Sequence, residues 1–499
     1  MDIIRIRKKN HAFLHVDCEP SVANELCDFF TFYVPGYKFM PAYKNKMWDG
    51  KIRLFDTRTK ELYAGLFAYV EEFANAEGRD YRIELEHDDY YGLPKTDTVI
   101  DMSFMKDLVL TAAGKSIEAR DYQLQAIQHG LTKKSAMLIS PTASGKSLII
   151  YSLLRYVLEV QDKRALIIVP TTSLVEQMYA DFADYSTQDD GFDIETCHRI
   201  YAGRPKFADK ERVIITTWQS IYKMPGTWFE QFGAVFGDEA HNFKAKSLTS
   251  ILSKCRDAEY RFGTTGTLDG TQTHKLVLEG LFGPAYYVTT TKKLMDEGSL
   301  SDLDISVLLL KYDEQLRRQF GKQTYQQEID FIVTHQKRNQ LITNLALDQE
   351  GNTLVLFQYV EKHGKPLYNM IKDKAHSRRH IFYVSGETGV DTREEIRRIT
   401  ETQKNAIIVA SLGTFSTGVN IRNLHNVIFA SPSKSQIKIL QSIGRGLRKS
   451  DDGRMTKLYD VADDLHWKSR KNYTLNHAAE RIKIYTKEKF KYKIYEIDI

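Results

Sequence analysis

The sequence predicts an α/β protein in which two tandem parallel-sheet domains follow a small α+β unit. Three observations predict it. From about Met105 onward, short apolar runs of strand length alternate with amphipathic helical segments. The same alternation starts again after Asp302. The 499 residues also exceed what one core holds, at roughly 100–200 residues per domain. With 42% hydrophobic and 27% charged residues, 29 Gly and 11 Pro, the composition is that of an ordinary globular chain. No apolar stretch approaches the ~18 residues of a membrane span. The basic Met1–Asn10 lacks the apolar segment of a secretory signal. Cys18, Cys27, Cys197 and Cys255 are scattered without paired spacing, which speaks against a zinc site or a disulfide framework and for reduced thiols in a cytoplasm.

Residues 1–85 read as the α+β unit. Asp49-Gly50, followed by the alternating Lys51-Ile52-Arg53-Leu54, predicts a tight hairpin, because both central positions of a primed turn need positive φ. Residues 86–104 are acidic and turn-rich, with Gly92, Pro94 and Asp97, and read as a linker. Residues 105–295 carry strands at Ala136–Ile139, Ala165–Val169, Val213–Thr216, Ala234–Phe236 and Arg261–Gly263, with helices at Ser147–Val160 and Ser173–Tyr185. Residues 296–499 carry strands at Thr353–Tyr359, His380–Val384, Ala406–Ala410, Val427–Ala430 and Lys457–Val461. This is the rhythm of parallel sheets covered on both faces, two of which leave a cleft between them. No 20–50-residue period repeats. A helix around Asn472–Phe490 and the tail Lys491–Ile499 either extend a nucleic-acid track or close the second sheet. Lys434–Ile499 holds 16 Lys/Arg against 9 Asp/Glu in a chain whose formal net charge is only +5. That excess suits a polyanion or a solvated helix face equally.

The chemistry-bearing segment is Ser140-Pro141-Thr142-Ala143-Ser144-Gly145-Lys146-Ser147, placed between a strand and a helix. Such a loop turns backbone N–H groups and a positive helix end onto phosphate, Lys146 reaches the β- and γ-phosphates, and the Ser147 hydroxyl ligates Mg²⁺. Its partner is Asp238-Glu239-Ala240-His241 at the end of the apolar run Ala234–Gly237. The expectation is that it meets the phosphate loop across adjacent strand ends, Asp238 holding Mg²⁺ and Glu239 positioning or deprotonating the attacking water. Arg445 and Arg448, three apart on an expected helix, would project from one face, either as the cations that meet the charge developing on the γ-phosphate or as part of a surface-exposed basic helix.

Taken in order, these segments resemble superfamily 2 helicases from about Arg120 to Lys449. Arg120-Asp121-Tyr122-Gln123 resembles the adenine-reading element, and Ser140–Ser147 and Asp238–His241 resemble motifs I and II. Val169–Leu174 and Ile215–Gln219 are similar to motifs Ia and Ib, and Thr265-Gly266-Thr267 to motif III. Leu354–Val360, Thr414–Gly418 and Gln441–Arg448 are similar to motifs IV, V and VI. The resemblance implies two RecA-like domains with ATP and Mg²⁺ between them. Gln123, Thr142, Ala143, Ser144, Gly145, Lys146, Ser147 and Gly418 would hold nucleotide, and Gln441, Arg445 and Arg448 would join Lys146, Asp238 and Glu239 in catalysis. His241 would couple hydrolysis to Thr265 and Thr267, while Thr171, Thr172, Thr217, Trp218, Phe357, Gln358 and Thr414 would track a nucleic-acid backbone. The general phosphate-loop pattern has glycine where this chain has Ser140, and the chain departs from the family's own pattern at Ala143, Gly266 and Asn420.

With Trp48–Leu54 and Gly413–Gly418 included, the resemblance extends nearly end to end to a phage branch of that superfamily. It implies ATP-driven translocation on branched DNA, with branch migration, fork regression and R-loop unwinding in phage recombination, repair and replication, by a monomer in the host cytoplasm. The N-terminal unit mixes Arg and Lys with aromatic residues, and Trp48, Lys51 and Arg53 are its candidate DNA contacts. Two alternatives stay open on the residues alone: an RNA-dependent remodeller, and a non-motor DNA-binding scaffold with a degenerate ATP site.

Overall fold

A computed structural model describes residues 2–86, 100–205, 210–244, 246–268, 271–320, 323–375, 379–414, 421, 423–431, 433, 435, 439–440, 442–444, 447 and 453–499. Residues 87–99 of the expected linker lie outside these. The chain divides into two compact units, Met1–Ser140 with Gly145–Val288, and Thr289–Ile499 with Pro141–Ser144. Among the described residues, no helix is long and apolar enough to cross a membrane.

Seven strands build the N-terminal part: β1 (Asp2–Lys8), β2 (Phe13–Asp17), β3 (Thr31–Tyr33), β4 (Lys51–Arg53), β5 (Phe55–Asp56), β6 (Glu61–Tyr63) and β7 (Tyr81–Leu85). Five form a mixed sheet in the order β5-β6-β2-β1-β7, and β3 pairs with β4 separately. Period-two alternation buries Ile4, Ile6, Leu14, Val16 and Leu62 on one face. Helices Pro20–Phe29 and Phe67–Ala74 add Val22, Leu26, Val70 and Phe73 to the same core.

The tight hairpin expected at Asp49-Gly50 does not form. β4 pairs with β3, from Thr31↔Arg53 to Tyr33↔Lys51, so residues 34–50 make the connection. Gly50 has positive φ (+81°) but Asp49 does not, whereas both primed two-residue turns need it at the first central position. The Asp49 carboxylate instead accepts from Lys51 N–H at 3.1 Å and from Arg53 at 2.5 Å.

This part shares one continuous core with the sheet that follows, Leu66 and Phe67 clustering with Leu281 and Phe282. Gly65 lies so close to helix Gln272–Phe282 that a Cβ would stand 1.9 Å from Glu279 O. Tyr69 donates to the Glu279 carboxylate, whose other oxygen accepts from Ala285 N–H at 2.9 Å.

After the small hairpin β8 (Thr111–Ala112) and β9 (Lys115–Ser116) come the strands of the first parallel sheet. They are β10 (Ser135–Ile139), β11 (Arg164–Val169), β12 (Cys197–Ile200), β13 (Val213–Thr217), β14 (Phe232–Gly237), β15 (Tyr260–Thr265) and β16 (Ala285–Tyr287), in the order β12-β13-β11-β14-β15-β10-β16. β13, β14 and β15 are buried at every residue, as strands covered on both faces must be. The second sheet comprises β17 (Leu303–Lys311), β18 (Thr353–Phe357), β19 (Ile381–Val384), β20 (Ile407–Ser411), β21 (Asn426–Phe429), β22 (Thr456–Asp464) and β23 (Tyr492–Asp498). Its order, β19-β20-β18-β21-β22-β17-β23, is the order of the first sheet strand for strand. The C-terminal tail therefore closes the second sheet: β23 pairs with β17 from Ile305↔Tyr492 to Lys311↔Asp498.

His129, on helix Asp121–Lys133, stacks on Tyr286 of the β16 edge at 4.1 Å, and burial lowers its pKa to about 4. The unfolded chain takes up that proton near pH 6.5 and the folded one only near 4, so stability is lost as pH falls through this window. His129→Phe, which keeps the stack, should make the decline shallower by at most one proton. Urea denaturation between pH 7 and 4.5 measures it, and parallel curves for the two proteins would contradict it.

Candidate active site

The site lies at the C-terminal ends of β10, β15 and β14. The carboxylate turn and the phosphate loop do not follow adjacent strands as expected, because β15 runs between β10 and β14. The intervening strand is what connects them. Ser140 N–H, at the start of the phosphate loop, donates to Thr265 O at 2.8 Å. Thr264 Oγ1 donates to Asp238 Oδ1 at 2.7 Å.

The loop from Ser140 turns into helix Lys146–Val160 at Gly145, which has φ +80°. Ala143 has φ +66°, a region that costs an L-residue roughly 1–2 kcal/mol, so the position normally taken by glycine makes the backbone demand of glycine here too. Ser144 Oγ donates to Pro141 O at 2.6 Å and tightens the turn. Lys146 Nζ folds back over its own loop, 3.4 Å from Ser140 O. Gln123 is buried at the start of helix Asp121–Lys133, where its Oε1 accepts from Arg120 N–H at 2.8 Å. Its Nε2 lies where a Cβ on Gly145 would stand, 2.3 Å away, so any residue but glycine would displace the glutamine from the loop.

Asp238 is buried at the end of β14. Burial and the neighbouring Glu239 carboxylate raise its pKa above the ordinary carboxylate range, while Lys146 and the Thr264 hydrogen bond pull it back. Glu239 adopts φ +48°, which turns the chain sharply after the strand. His241 Nδ1 lies 3.3 Å from Glu239 Oε2 and 3.0 Å from Thr265 Oγ1. Thr265 Oγ1 spends its single proton on Thr267 O at 3.1 Å, so it accepts from His241, and this assigns the proton to Nδ1. His241, Thr265 and Thr267 thus form a hydrogen-bonded chain that starts beside the Glu239 carboxylate, and His274 Nε2 braces the His241 carbonyl at 3.0 Å.

The nucleic-acid candidates separate. Thr171 caps helix Thr172–Tyr185, its Oγ1 accepting from Leu174 N–H at 3.3 Å, and Thr172 is exposed beside it. Trp218 is half-buried, and Thr217 is buried with its hydroxyl 3.0 Å from Ser220 Oγ. Phe357 is a correction: it is fully buried, stacked on Tyr383 at 5.6 Å, and offers no surface to a strand of nucleic acid. The apolar run around it is a central strand, covered on both faces. Gln358 beside it is exposed. Thr414 is buried and accepts from Ser411 Oγ at 2.7 Å. Trp48 Nε1 donates to Lys51 O at 2.8 Å, Lys51 Nζ lies 5.1 Å from the Tyr33 ring centre, and Arg53 is exposed. Gly418, Gln441, Arg445 and Arg448 lie outside the described residues.

Two participants had no clear sequence signal. Thr264 is the first of the two threonines that end β15, and only the strand order puts it beside Asp238. Tyr185, whose hydroxyl is 2.8 Å from Ser147 Oγ, is 38 residues away in sequence.

A phosphate loop, a carboxylate turn and a threonine-bearing third strand on one of two parallel sheets of identical order define the ATP-dependent helicase class. The family models agree: the type III restriction enzyme res subunit matches residues 116–270, and the conserved C-terminal helicase domain matches 336–450. The N-terminal domain of DNA helicase UvsW matches residues 3–86. The ATP-dependent DNA helicase uvsW of Enterobacteria phage T4 is 36% identical over 507 residues, covering 98% of this chain and 99% of the relative. The chain belongs to the UvsW family of ATP-dependent DNA helicases. The crystal structure of T4 UvsW matches at a TM-score of 0.53 with 33% identity, covering all of both chains. A DNA 3'-5' translocase, XPB2 of Sulfurisphaera tokodaii, is 23% identical over 67% of this chain and 80% of its own length. An HsdR fragment from Vibrio vulnificus shares the fold, with a TM-score of 0.59 and 16% identity over 80% of this chain and 72% of the fragment.

Thr264→Val keeps the volume and removes the donor to Asp238. It should destabilise the protein by about 1–3 kcal/mol, because the buried carboxylate loses one of its donors. Urea denaturation at pH 7 reads the effect, and unchanged stability would show that the bond contributes nothing.

Proposed function

We propose that this helicase is an ATP- and Mg²⁺-dependent motor on branched DNA, and that its hydrolytic site is Lys146, Ser147, Asp238 and Glu239. The observation that carries the reading is the convergence of Lys146 and the buried Asp238 beyond the ends of β10 and β14, the two strands that flank β15, with Glu239 leading into the His241–Thr265–Thr267 chain.

The residues suit the group. Ser147 and Asp238 supply the oxygen ligands that Mg²⁺ prefers, and the ion would neutralise charge on the phosphates. Lys146 and the first N–H groups of its helix bind phosphate oxygens, and the close fit of Gly145 to Gln123 keeps that backbone open to them. Glu239 orients or deprotonates the attacking water. His241, hydrogen-bonded to Thr265 and 3.3 Å from Glu239, passes the state of that carboxylate to the end of β15. Gln123 reads the base, and Gly418, Gln441, Arg445 and Arg448 complete the site. Among the backbone-tracking candidates, Thr171, Thr172 and Gln358 suit the role best. The T4 relative's similarity over the whole chain supports the DNA substrate, and four-way junctions, forks and R-loops are its proposed forms.

Lys146→Ala should abolish DNA-stimulated ATP hydrolysis and leave most DNA affinity intact. Parental turnover in this variant would refute the site. Arg445→Ala and Arg448→Ala should keep nucleotide binding while kcat falls about a thousandfold or more. Multiple-turnover hydrolysis with four-way junction DNA, compared with single-stranded RNA at one salt concentration, tests the substrate. Stronger stimulation by the RNA would overturn the DNA reading.

A further inference from the structure

The connection between β3 and β4 carries large apolar side chains that nothing in the described structure covers. Phe39 is 80% exposed and Met47 is 79% exposed. The segment that carries them is nevertheless well built. Val34 N–H donates to Gly50 O at 2.9 Å and closes its base. Tyr37 stacks on Tyr33 at 4.7 Å and meets Tyr43 edge-on at 4.8 Å, giving the loop a small interior of its own. Phe39 and Met47 stay outside that interior. Residues 31–48 contain no Asp or Glu, and Lys38, Lys44 and Lys46 make no ion pair among the described residues.

We propose that this segment is a base-stacking tip, at which Phe39 and Met47 pack on unpaired bases where a duplex opens while the three lysines hold the flanking phosphates. Exposed apolar side chains on a segment whose unpaired charges are lysines mark a binding surface for a polyanion, the one acid of the connection, Asp49, being paired with Arg53. Every base has a π-face, so an exposed aromatic ring binds single strands without regard to sequence. Stacked base pairs hide those faces, so the tip favours junctions over intact duplex. The inference rests on the reading that DNA is the substrate, and it adds a site apart from the sequence candidates: Trp48 spends its N–H on Lys51 O within the chain.

The test is fluorescence anisotropy of the full chain without nucleotide, on a fork with unpaired arms and on a blunt duplex of equal length. Phe39→Ala should lose about tenfold in affinity for the fork and little for the duplex, with the salt slope unchanged. Phe39→Trp should restore fork binding, which guards against a folding artefact. Lys44→Ala should weaken both DNAs and reduce the slope by about one. Equal losses on fork and duplex for Phe39→Ala would overturn the tip. So would an unchanged fork affinity, which would assign the patch to a protein partner instead. The parental chain's DNA-stimulated ATPase is read separately: its absence would remove the motor reading, whereas the anisotropy arms bear on the tip alone.

Discussion

The buried carboxylate of Asp238 is the constraint around which the first parallel sheet is arranged. An ionised group removed from water costs several kcal/mol unless partners compensate it. Here Thr264 donates to it and Lys146 lies near enough to lower its pKa. Thr264 comes from β15, and Lys146 follows β10. The insertion of β15 between β10 and β14 is therefore what makes the carboxylate tenable, and it also brings Thr265 to His241. A different strand order with the same strands would take the Thr264 donor away from Asp238 and leave it only local partners such as the Glu239 N–H.

The second unit repeats the topology of the first without repeating its chemistry. β17 holds the place of β10, but it leads into Tyr312 and Asp313, not into a glycine-bearing loop. Its buried charge is structural. Asp463 at the end of β22 takes a two-pronged pair from Arg338, at 2.7 and 3.0 Å, and a hydrogen bond from Tyr312 at 2.9 Å. Asp460, three residues earlier on the same strand, is paired with Arg481 and Tyr485 of the C-terminal helix. These pairs lock helix to sheet, since removing either partner would strand a buried charge. They also show that the basic excess of the C-terminal region is not all surface: Arg481 belongs to the interior.

The N-terminal part is joined to the first sheet by close packing as well as by the chain. Gly65 and Tyr63 press on helix Gln272–Phe282, and Glu279 takes hydrogen bonds from both sides of that contact. A contact of this kind lets forces on the N-terminal segment reach the sheet that carries Lys146 and Asp238. It also explains why aromatic residues there divide into two groups. Phe30, Phe55 and Phe73 fill a core, while Phe39 stays in water.

Period and local chemistry settled much of this protein in advance. Strands at Ala136–Ile139 and Ala165–Val169, and one at Thr353–Tyr359 that ends two residues earlier at Phe357, were legible because a fully covered parallel strand is continuously apolar. The placement of Lys146, Asp238 and His241 was legible because each lies in a turn or helix start that follows an apolar strand. Those signals are local, carried by neighbours in sequence. What the tertiary structure decided was pairing. It placed β15 between the two motif-bearing strands, joined β4 to β3 across residues 34–50, and made the tail an edge strand of the second sheet. It also buried Phe357 and drew Thr264 and Tyr185 to the site. Each of these depends on contacts between residues far apart in the chain, and hydropathy cannot tell which apolar strand lies beside which. The identical strand order of the two sheets is the clearest case, since the repeat lies in backbone topology and leaves no period in the residues themselves.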